Sequence, residues 1–270
     1  MIIYKVIYNI SNYENIKIMT IATLFISFAL LFSNSNSMGT YCDICNEVIV
    51  TEYYMDAWGN KFHSEHLENG VYCNTCSRII SKGLTGGGFE FNDGRRMCKL
   101  CSTSMINTEH LKIKSIGNVL NILGDAGISI DDKLVSINLV DRESLQNATY
   151  SISKHSKESI KGYTYYNNQN YVINILWGLN QLEFEGVLAH ELLHVWVDYN
   201  NIKLNKSKLE GFCNLGSGLI YDSYSIELAN ILKLSLENNP NPIYGKGYKY
   251  MNSLLDIYGW EKLTTMLQNN

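Results

Sequence analysis

The feature that most constrains this 270-residue chain is a pair of histidines in a helix-forming stretch, Val187-Leu-Ala-His190-Glu191-Leu-Leu-His194-Val-Trp-Val-Asp198. In a helix, residues four apart lie one turn apart on the same face, so both imidazoles can reach one ion. Glu191 follows directly and lies close enough to act on a water at that ion. This H-E-x-x-H spacing is typical of zinc hydrolases, in which the glutamate is the general base. The alternative is a buried amphipathic helix that carries two satisfied histidines.

Composition limits the class of protein before any other motif is considered. Hydrophobic residues make up 46% of the chain and charged residues 18%, which indicates globular rather than disordered structure. The formal net charge of −4 provides no basic surface for nucleic acid, so no nucleic-acid partner is expected. Six of the seven cysteines fall in three C-x-x-C pairs, and four of the six histidines are also in paired spacings. That distribution indicates metal binding.

Residues 1–37 have the pattern of a signal peptide or a membrane anchor. Lys5 and Lys17 precede an uncharged apolar run at residues 18–32, and small or polar residues follow. Fifteen apolar residues fall short of the roughly twenty that span a bilayer, so the pattern predicts an exported, periplasmic or secreted protein, with Met19 as an alternative start. The alternative is a chain anchored to the membrane by residues 18–32; only then is a membrane partner expected.

Residues 41–104 contain two sets of four metal ligands. The first set is Cys42, Cys45, His63 and His66; the second is Cys73, Cys76, Cys98 and Cys101. Each short-spaced pair can place two ligands on one ion, and the loop between the pairs brings the others back to it. Four protein ligands leave no open position, so both sites are predicted to hold structural zinc. Three disulfides in an exported protein are the alternative, which leaves the two histidines unexplained.

Residues 108–270 read as a second, α+β domain. A helix is expected over residues 113–123, strands over 133–140, 163–166 and 171–177, and the histidine helix over 181–199. A helix with Ser207 as its N-cap follows, then helices over 225–236 and 248–267 separated by a loop at 239–248. Glycines are poor helix formers, so we expect Gly211, Gly216 and Gly218 to let the Ser207 helix approach the histidine helix closely.

A catalytic zinc needs a third protein ligand and one open position. Glu210, sixteen residues after His194 on the next helix, is the strongest candidate; a first-turn charge that stabilises the helix is the alternative. Asn214, one turn further on, is a candidate to orient a ligand. Tyr244 or Tyr248 is a candidate donor to a developing oxyanion. Cys213 lacks a general base in the sequence and is interpreted as a small buried residue.

Two resemblances follow from these motifs. The paired four-ligand sites, with Trp58-Gly-Asn-Lys-Phe-His63 leading to the third ligand, resemble a LIM domain. The fourth ligand, however, is His66 where cysteine is usual, and six residues rather than two separate the sites. Four further segments resemble the LIM-domain zinc peptidases that regulate organ size in plants and their bacterial relatives: residues 175–179, 184–196, 210–213 and 242–248.

The resemblance implies a zincin-like (gluzincin) metallopeptidase domain preceded by a LIM-like double zinc finger. It implies that His190, His194 and Glu210 bind one catalytic zinc with Glu191 as base, beside two structural zinc ions. It also implies an edge strand at residues 171–177, to which a substrate would add by main-chain hydrogen bonds. The plant members carry ubiquitin-interacting segments where this chain has its export-like segment, so ubiquitin is not expected as a partner.

The sequence therefore predicts a zinc metalloendopeptidase that acts on a peptide or protein substrate, with the LIM-like module as a surface for a protein partner. The alternative from another class is a protein-binding module joined to a catalytically inactive peptidase-like domain. A zinc hydrolase acting on a substrate other than a peptide is a third alternative.

Overall fold

A computed structural model describes residues 3–7, 40–50, 52–150, 160–167 and 170–269. The apolar run at 18–32 lies outside these ranges. No helix within the described ranges combines the length and the hydropathy needed to cross a bilayer. Strand β1 (Ile3–Ile7) pairs with residues of the cysteine-rich region. Export and a start at Met19 stay predictions from the sequence pattern.

The cysteine-rich region consists of short elements. They are β2 (Glu52–Asp56), β3 (Lys61–Phe62), α1 (Ser64–Asn69), α2 (Lys82–Thr85), β4 (Gly88–Glu90), β5 (Arg96–Cys98) and α3 (Lys99–Ser102). Strands β1, β2 and β3 form one antiparallel sheet in that order, and β4 pairs antiparallel with β5. Such short elements bury little apolar surface, so metal ions would supply much of the region's stability.

The two halves of the cysteine-rich region pack against each other despite the six-residue spacing between the two ligand sets. The indole Nε1 of Trp58 donates to the carbonyl of Cys76 at 2.9 Å. The guanidinium of Arg78 stacks on the Trp58 ring, 3.3 Å from its centre. Ile79 is buried in the hydrophobic cluster of the first half. Trp58 therefore joins the loop before His63 to the second set of ligands.

The larger domain contains three strands and six helices within the described residues, with one turn of 3-10 helix at Asp132–Leu134. They are α4 (Glu109–Asp125), β6 (Val135–Val140), α5 (Arg142–Tyr150), β7 (Gly162–Asn167), β8 (Asn170–Leu176), α6 (Gln181–Tyr199), α7 (Lys206–Asp222), α8 (Glu227–Glu237) and α9 (Tyr244–Gln268). The mixed α and β composition agrees with the predicted α+β class. Its core is centred on α6, where Leu188, Ala189, Leu192 and Leu193 are at most 1% exposed.

The sheet corrects the predicted role of residues 171–177. Strand β8 lies in the middle of the sheet, parallel to β6 on one side and antiparallel to β7 on the other. It is therefore not an edge strand, because both of its hydrogen-bonding sides are used. Among the strands that the structure describes, β6 and β7 lie at the edges of this sheet, and β7 is also packed against α6. The prediction chose the wrong strand of the β7–β8 pair as the edge, because the sequence does not show which of the two also pairs with β6.

The three glycines of α7 pack against two different helices, α6 and α9. A Cβ on Gly216 would lie 2.9 Å from Leu193 Cδ1 and 3.1 Å from the Ala189 carbonyl, so this glycine does permit close approach to α6. A Cβ on Gly211 would instead lie 2.2 Å from the carbonyl oxygen of Gly247 in α9. Gly218 likewise faces the hydroxyl of Tyr248. The prediction that all three glycines face the histidine helix was wrong for Gly211 and Gly218.

Two helix starts also differ from the predictions. The N-cap of α7 is Asn205, whose Oδ1 accepts from the Lys208 amide at 3.0 Å, rather than Ser207. Helix α9 begins at Tyr244, four residues before the predicted end of the loop. Its first turn carries two glycines in a close contact with other backbone, which compensates for their poor helix propensity.

Candidate metal centres

Helix α6 places the two histidines of the H-E-x-x-H motif on one face. The helix starts at its N-cap, Asn180, whose side chain accepts from the Leu182 amide at 3.1 Å. His190 and His194 follow one turn apart, and their Nε2 atoms lie 3.2 Å from each other. Their side chains are 15% and 23% exposed, so the site opens to solvent at one side. Both imidazoles are therefore partly accessible to solvent.

Helix α7 brings Glu210 to the same point. Its Oε2 lies 3.4 Å from His190 Nε2 and 3.7 Å from His194 Nε2. Ligands at 2.0–2.1 Å from a tetrahedral zinc are separated by about 3.3 Å, so the three atoms have nearly the spacing that one ion requires. Two nitrogens and a carboxylate oxygen are also ligands that zinc accepts. The residues present therefore fit a zinc ion.

The electrostatics of the three groups favour a cation between them. Burial raises the pKa of the Glu210 carboxyl, but the interactions with His190 and His194 outweigh it and lower that pKa to about 2. Burial lowers the pKa of each histidine, but the negative groups around the two rings, first among them Glu210 and also Glu191, together outweigh burial and raise it. A carboxylate is thus held ionised against two imidazoles, which is the protonation state that a metal-binding glutamate needs.

Asn214 contacts the far side of His190. Its Oδ1 lies 2.9 Å from His190 Nδ1 and accepts a hydrogen bond from that nitrogen. With the proton on Nδ1, the Nε2 lone pair points toward Glu210 and His194 and is available to an ion. The structure therefore places Asn214 where a residue that orients a metal ligand is expected.

Glu191, the candidate base, is 7% exposed and lies against β7. Its Oε2 accepts a hydrogen bond from Thr164 Oγ1 at 2.7 Å. A Cβ on Gly162 would lie 2.7 Å from Glu191 Oε1. Neither Thr164 nor Gly162 was among the predicted site residues, because only the packing of β7 on α6 brings them to the glutamate. The signal that the sequence offered was that two small residues, a glycine and a threonine, occur in a strand rich in tyrosine.

Cys213 is fully buried close to the two histidines. Its Sγ and one ring nitrogen of each histidine lie within 4.8 Å of one another, so it is a geometrical alternative to Glu210 as a third ligand. Burial raises the pKa of its thiol well above the ordinary value, which keeps it protonated. A protonated thiol with no access to solvent is a poor nucleophile. Glu210, which reaches both Nε2 atoms, is therefore the better candidate for the third ligand.

The two predicted tyrosines have different surroundings. Burial raises the pKa of Tyr244, and the charges of Glu210 and Glu191 raise it further, so its hydroxyl is near enough to these carboxylates to interact with them. Tyr248 is 2% exposed, and its hydroxyl packs near Gly218. Gly218 lies eight residues along α7 from Glu210, or about 12 Å at 1.5 Å per residue. The prediction of Tyr248 as an oxyanion donor was wrong, because its side chain points along α7 away from the site.

The first Cys/His cluster also brings its four ligands together. One ligand atom from each of Cys42, Cys45, His63 and His66 lies within 4.8 Å of the others. His63 donates from Nε2 to the Val48 carbonyl at 3.4 Å, which leaves Nδ1, 3.5 Å from Cys45 Sγ, as its ligand atom. His66 Nε2 is buried and has no hydrogen-bond partner. A buried nitrogen without a partner is costly unless it binds an ion, so this set fits zinc.

The second cluster is a set of four buried thiols, Cys73, Cys76, Cys98 and Cys101. Cys76 Sγ lies 3.8 Å from Cys98 Sγ, which is about the separation of two thiolates bound at 2.3 Å to a tetrahedral zinc. A disulfide would require about 2.0 Å, and all seven cysteines are unpaired. The arrangement fits metal and not the disulfide alternative. Both clusters can hold metal ions.

The second cluster directly contacts the start of α6. The Asn180 side chain donates to the Cys101 carbonyl at 2.9 Å, and the Gln181 amide donates to the Ser104 carbonyl at 2.7 Å. Thr75, inside the first C-x-x-C pair of this cluster, donates to Glu183 Oε2 at 2.9 Å. Glu183 is 3% exposed and also forms an ion pair with Lys161. The second cluster and the first turn of the histidine helix thus share buried polar contacts.

The chain is similar to part of a plant protein. Protein DA1 of Arabidopsis thaliana is 20% identical to this chain over 297 aligned positions. The alignment includes 84% of this chain and 55% of the plant protein, so the chain spans about half the length of that relative. No protein-family model matches the chain. No solved structure matches it.

Proposed function

We propose that this chain is a zinc-dependent peptidase in which Glu191 is the general base. The observation that carries the proposal is the convergence of His190 Nε2, His194 Nε2 and Glu210 Oε2 within 3.2–3.7 Å, with Glu191 next to His190. Three protein ligands and a partly exposed site are the pattern of a catalytic rather than a structural zinc. Similarity to a plant protein over most of the chain supports the same reading, since the motifs resemble plant LIM-domain peptidases.

A zinc ion at this site would polarise a peptide carbonyl and lower the pKa of water from 15.7 to about 7. The residues of the chain supply the rest of the reaction. Glu191 accepts a proton from the attacking water and transfers it to the leaving nitrogen of the peptide bond. Asn214 keeps the proton of His190 on Nδ1. Tyr244, whose raised pKa keeps it protonated at neutral pH, can donate to the oxyanion that develops on the carbonyl.

A peptide is the substrate class that the sheet supports. Of the described strands, β7 lies at an edge of the sheet and carries Thr164, which contacts Glu191. An extended peptide that adds to the free side of β7 would make main-chain hydrogen bonds there, beside the base. Main-chain recognition of this kind tolerates many side chains, and it requires an extended chain, so we expect unfolded proteins or flexible segments to be cleaved.

The two other clusters are proposed to hold one structural zinc each, so that three zinc ions bind per chain. Four protein ligands in each cluster leave no open position for a reacting water. The first cluster and the surface around it remain the proposed site for a protein partner. This partner role rests on the resemblance to LIM domains.

The proposal is tested with purified full-length chain, denatured protein as substrate, and the variant Glu191→Gln. Loss of the base is expected to reduce cleavage by more than about a hundredfold, within the range for general base catalysis, while all three zinc ions are retained. Glu227→Gln, an exposed glutamate in the first turn of α8, is the matched control and is expected to cleave normally. Equal cleavage by Glu191→Gln and wild type, or none by wild type over varied substrates, would contradict the proposal.

Export through residues 1–37 is a separate proposal that rests on the sequence pattern alone. Expression of the full chain in a bacterium and fractionation of the cells would test it. We expect a shortened chain outside the cytoplasm. A full-length chain that is extracted only with detergent would favour the anchor at residues 18–32, and a full-length soluble chain in the cytoplasm would contradict both.

A further inference from the structure

The carboxylate of Glu191 is held by one side chain. Thr164 Oγ1 lies 2.7 Å from Glu191 Oε2 and 3.3 Å from the backbone oxygen of the same residue. The hydroxyl has a single proton, and the shorter distance to an ionised acceptor directs that proton to the carboxylate. Within the described ranges, no other side chain or amide donates to the Glu191 carboxylate. Its orientation therefore depends on Thr164.

Gly162 lies against the same carboxylate, on the same face of β7 as Thr164. It lies two residues before Thr164, and alternate residues of a strand face the same side of the sheet. A Cβ on Gly162 would lie 2.7 Å from Glu191 Oε1, 2.9 Å from Glu191 Cγ and 2.7 Å from Val187 Cγ1. The backbone of β7 is thus in van der Waals contact with the glutamate side chain, which limits the rotamers open to it.

We propose that Thr164 is a positioning residue for the reaction: it binds Glu191 Oε2 and leaves Oε1 as the oxygen that accepts the proton of the attacking water. The inference rests on the proposed function of Glu191 as the base. A base must lie within hydrogen-bond reach of the proton that it accepts, so a carboxylate free to rotate spends only part of its time in the reactive position. Thr164 removes that freedom before the substrate binds.

Thr164 faces α6, whereas a substrate would pair with the open side of β7. Loss of its hydroxyl should therefore lower kcat and leave KM nearly unchanged, because substrate binding does not use it. The hydroxyl also does not contact His190, His194 or Glu210, so the zinc content should not change. These two expectations separate a positioning role from a general loss of structure.

The experiment compares Thr164→Val with Thr164→Ser in the full-length, zinc-loaded chain. Valine keeps the shape and removes the donor; we expect kcat to fall about tenfold to a hundredfold, KM to change less than about twofold, and three zinc ions to remain bound. Serine restores the donor and should return kcat to within about threefold of wild type. Thr265→Val, which removes a hydroxyl bonded to a helix carbonyl on the exposed side of α9, is the matched control and should be unchanged.

A crystal structure of Thr164→Val supplies a readout that does not depend on activity. We expect the Glu191 carboxylate to occupy more than one rotamer there, and a single rotamer in Thr164→Ser. Wild-type kcat in Thr164→Val, or a Glu191 carboxylate in its original single position without the threonine hydroxyl, would overturn the inference. If no chain cleaves any substrate, the proposed function fails, while the crystal structures still decide whether Thr164 fixes the carboxylate.

Discussion

The side chain of Asn180 joins the two metal-binding parts of this protein. Its Nδ2 donates to the backbone carbonyl of Cys101, a ligand of the second cluster, at 2.9 Å, while its Oδ1 caps α6 by accepting from the Leu182 amide at 3.1 Å. Asn180 is 2% exposed, so neither bond is replaced easily by water. One residue therefore fixes the start of the histidine helix relative to a cysteine of the second cluster.

Replacement of Asn180 by alanine should destabilise the whole chain and not only the helix end. Loss of an N-cap costs about 0.5–2 kcal/mol, and the Cys101 carbonyl would also lose its buried donor, at about 1–3 kcal/mol. We expect a combined loss of about 2–4 kcal/mol in the free energy of unfolding measured with denaturant. Asn205→Ala, which removes the N-cap of α7 at an exposed position, is the matched control and should cost only the capping energy. Equal losses in the two variants would show that the Cys101 contact contributes nothing.

The same contact predicts unequal effects of losing the two structural metals. Cys98→Ser should prevent tight binding at the second cluster and weaken the start of α6, because Thr75, Cys101 and Ser104 all hydrogen-bond to its first turn. Cys42→Ser should leave the first turn of α6 unchanged, since none of the four residues of the first cluster, all within the described ranges, hydrogen-bonds to α6. Hydrogen exchange of the Leu182–Glu185 amides measures the difference. We expect faster exchange only in Cys98→Ser; equal exchange in both variants would contradict the coupling.

Local features of the molecule could be predicted from the sequence, whereas its tertiary contacts could not. The bounds of α6, Gln181–Tyr199, were predicted correctly because its apolar spacing is regular and Asn200 follows it. The two sets of closely spaced ligands were equally visible. The contacts of Asn180 with Cys101 and of Thr164 with Glu191 join residues 79 and 27 positions apart, and no local pattern encodes such distances. The middle position of β8 and the direction of Tyr248 were mispredicted for the same reason.

Asn214 should set the affinity of the histidine site for zinc. Asn214→Ala removes the acceptor for His190 Nδ1–H, so the ring loses its fixed tautomer and orientation. Loss of such a supporting bond typically weakens metal binding about 10–100-fold. Competition with a zinc chelator measures the affinity of the weakest of the three ions. Asn230→Ala, an exposed asparagine on α8, is the control. Unchanged chelator competition in Asn214→Ala would show that packing alone orients His190.

The choice between Glu210 and Cys213 as third ligand can be made by spectroscopy. A thiolate bound to Co²⁺ gives an intense near-ultraviolet charge-transfer band, and a carboxylate does not. Cys213→Ser should therefore leave the spectrum of the cobalt-loaded chain unchanged, with the eight other ligands of the two closed clusters intact. Glu210→Gln should release one metal ion of three. A weaker charge-transfer band in Cys213→Ser than in wild type, with three ions still bound in Glu210→Gln, would assign the thiol instead.

The close crossing of α7 and α9 predicts that alanine destabilises the protein at Gly211, whereas alanine at a helical glycine with open space around it should stabilise the protein. A methyl group at Gly211 would lie 2.2 Å from the carbonyl oxygen and 2.3 Å from the carbonyl carbon of Gly247. Because both groups belong to helix backbone, neither can move aside without moving its helix. Overpacking of this kind costs about 1–3 kcal/mol, and contact with backbone places Gly211→Ala toward the upper end. Because Gly211 follows Glu210, the helices can separate only by moving that carboxylate, so zinc binding at the histidine site should weaken together with stability.

Gly117→Ala is the matched control in the interior of α4. A Cβ there would meet no atom within 4 Å, and the position is exposed. Alanine stabilises a helix interior by about 0.5–1 kcal/mol relative to glycine, so this variant should unfold at higher denaturant concentration than wild type. Denaturant unfolding of both zinc-loaded variants measures whether each substitution lowers or raises the free energy of unfolding. A stability of Gly211→Ala equal to wild type would mean that α7 and α9 can separate without moving Glu210, and that the glycine contact does not hold the third ligand in place.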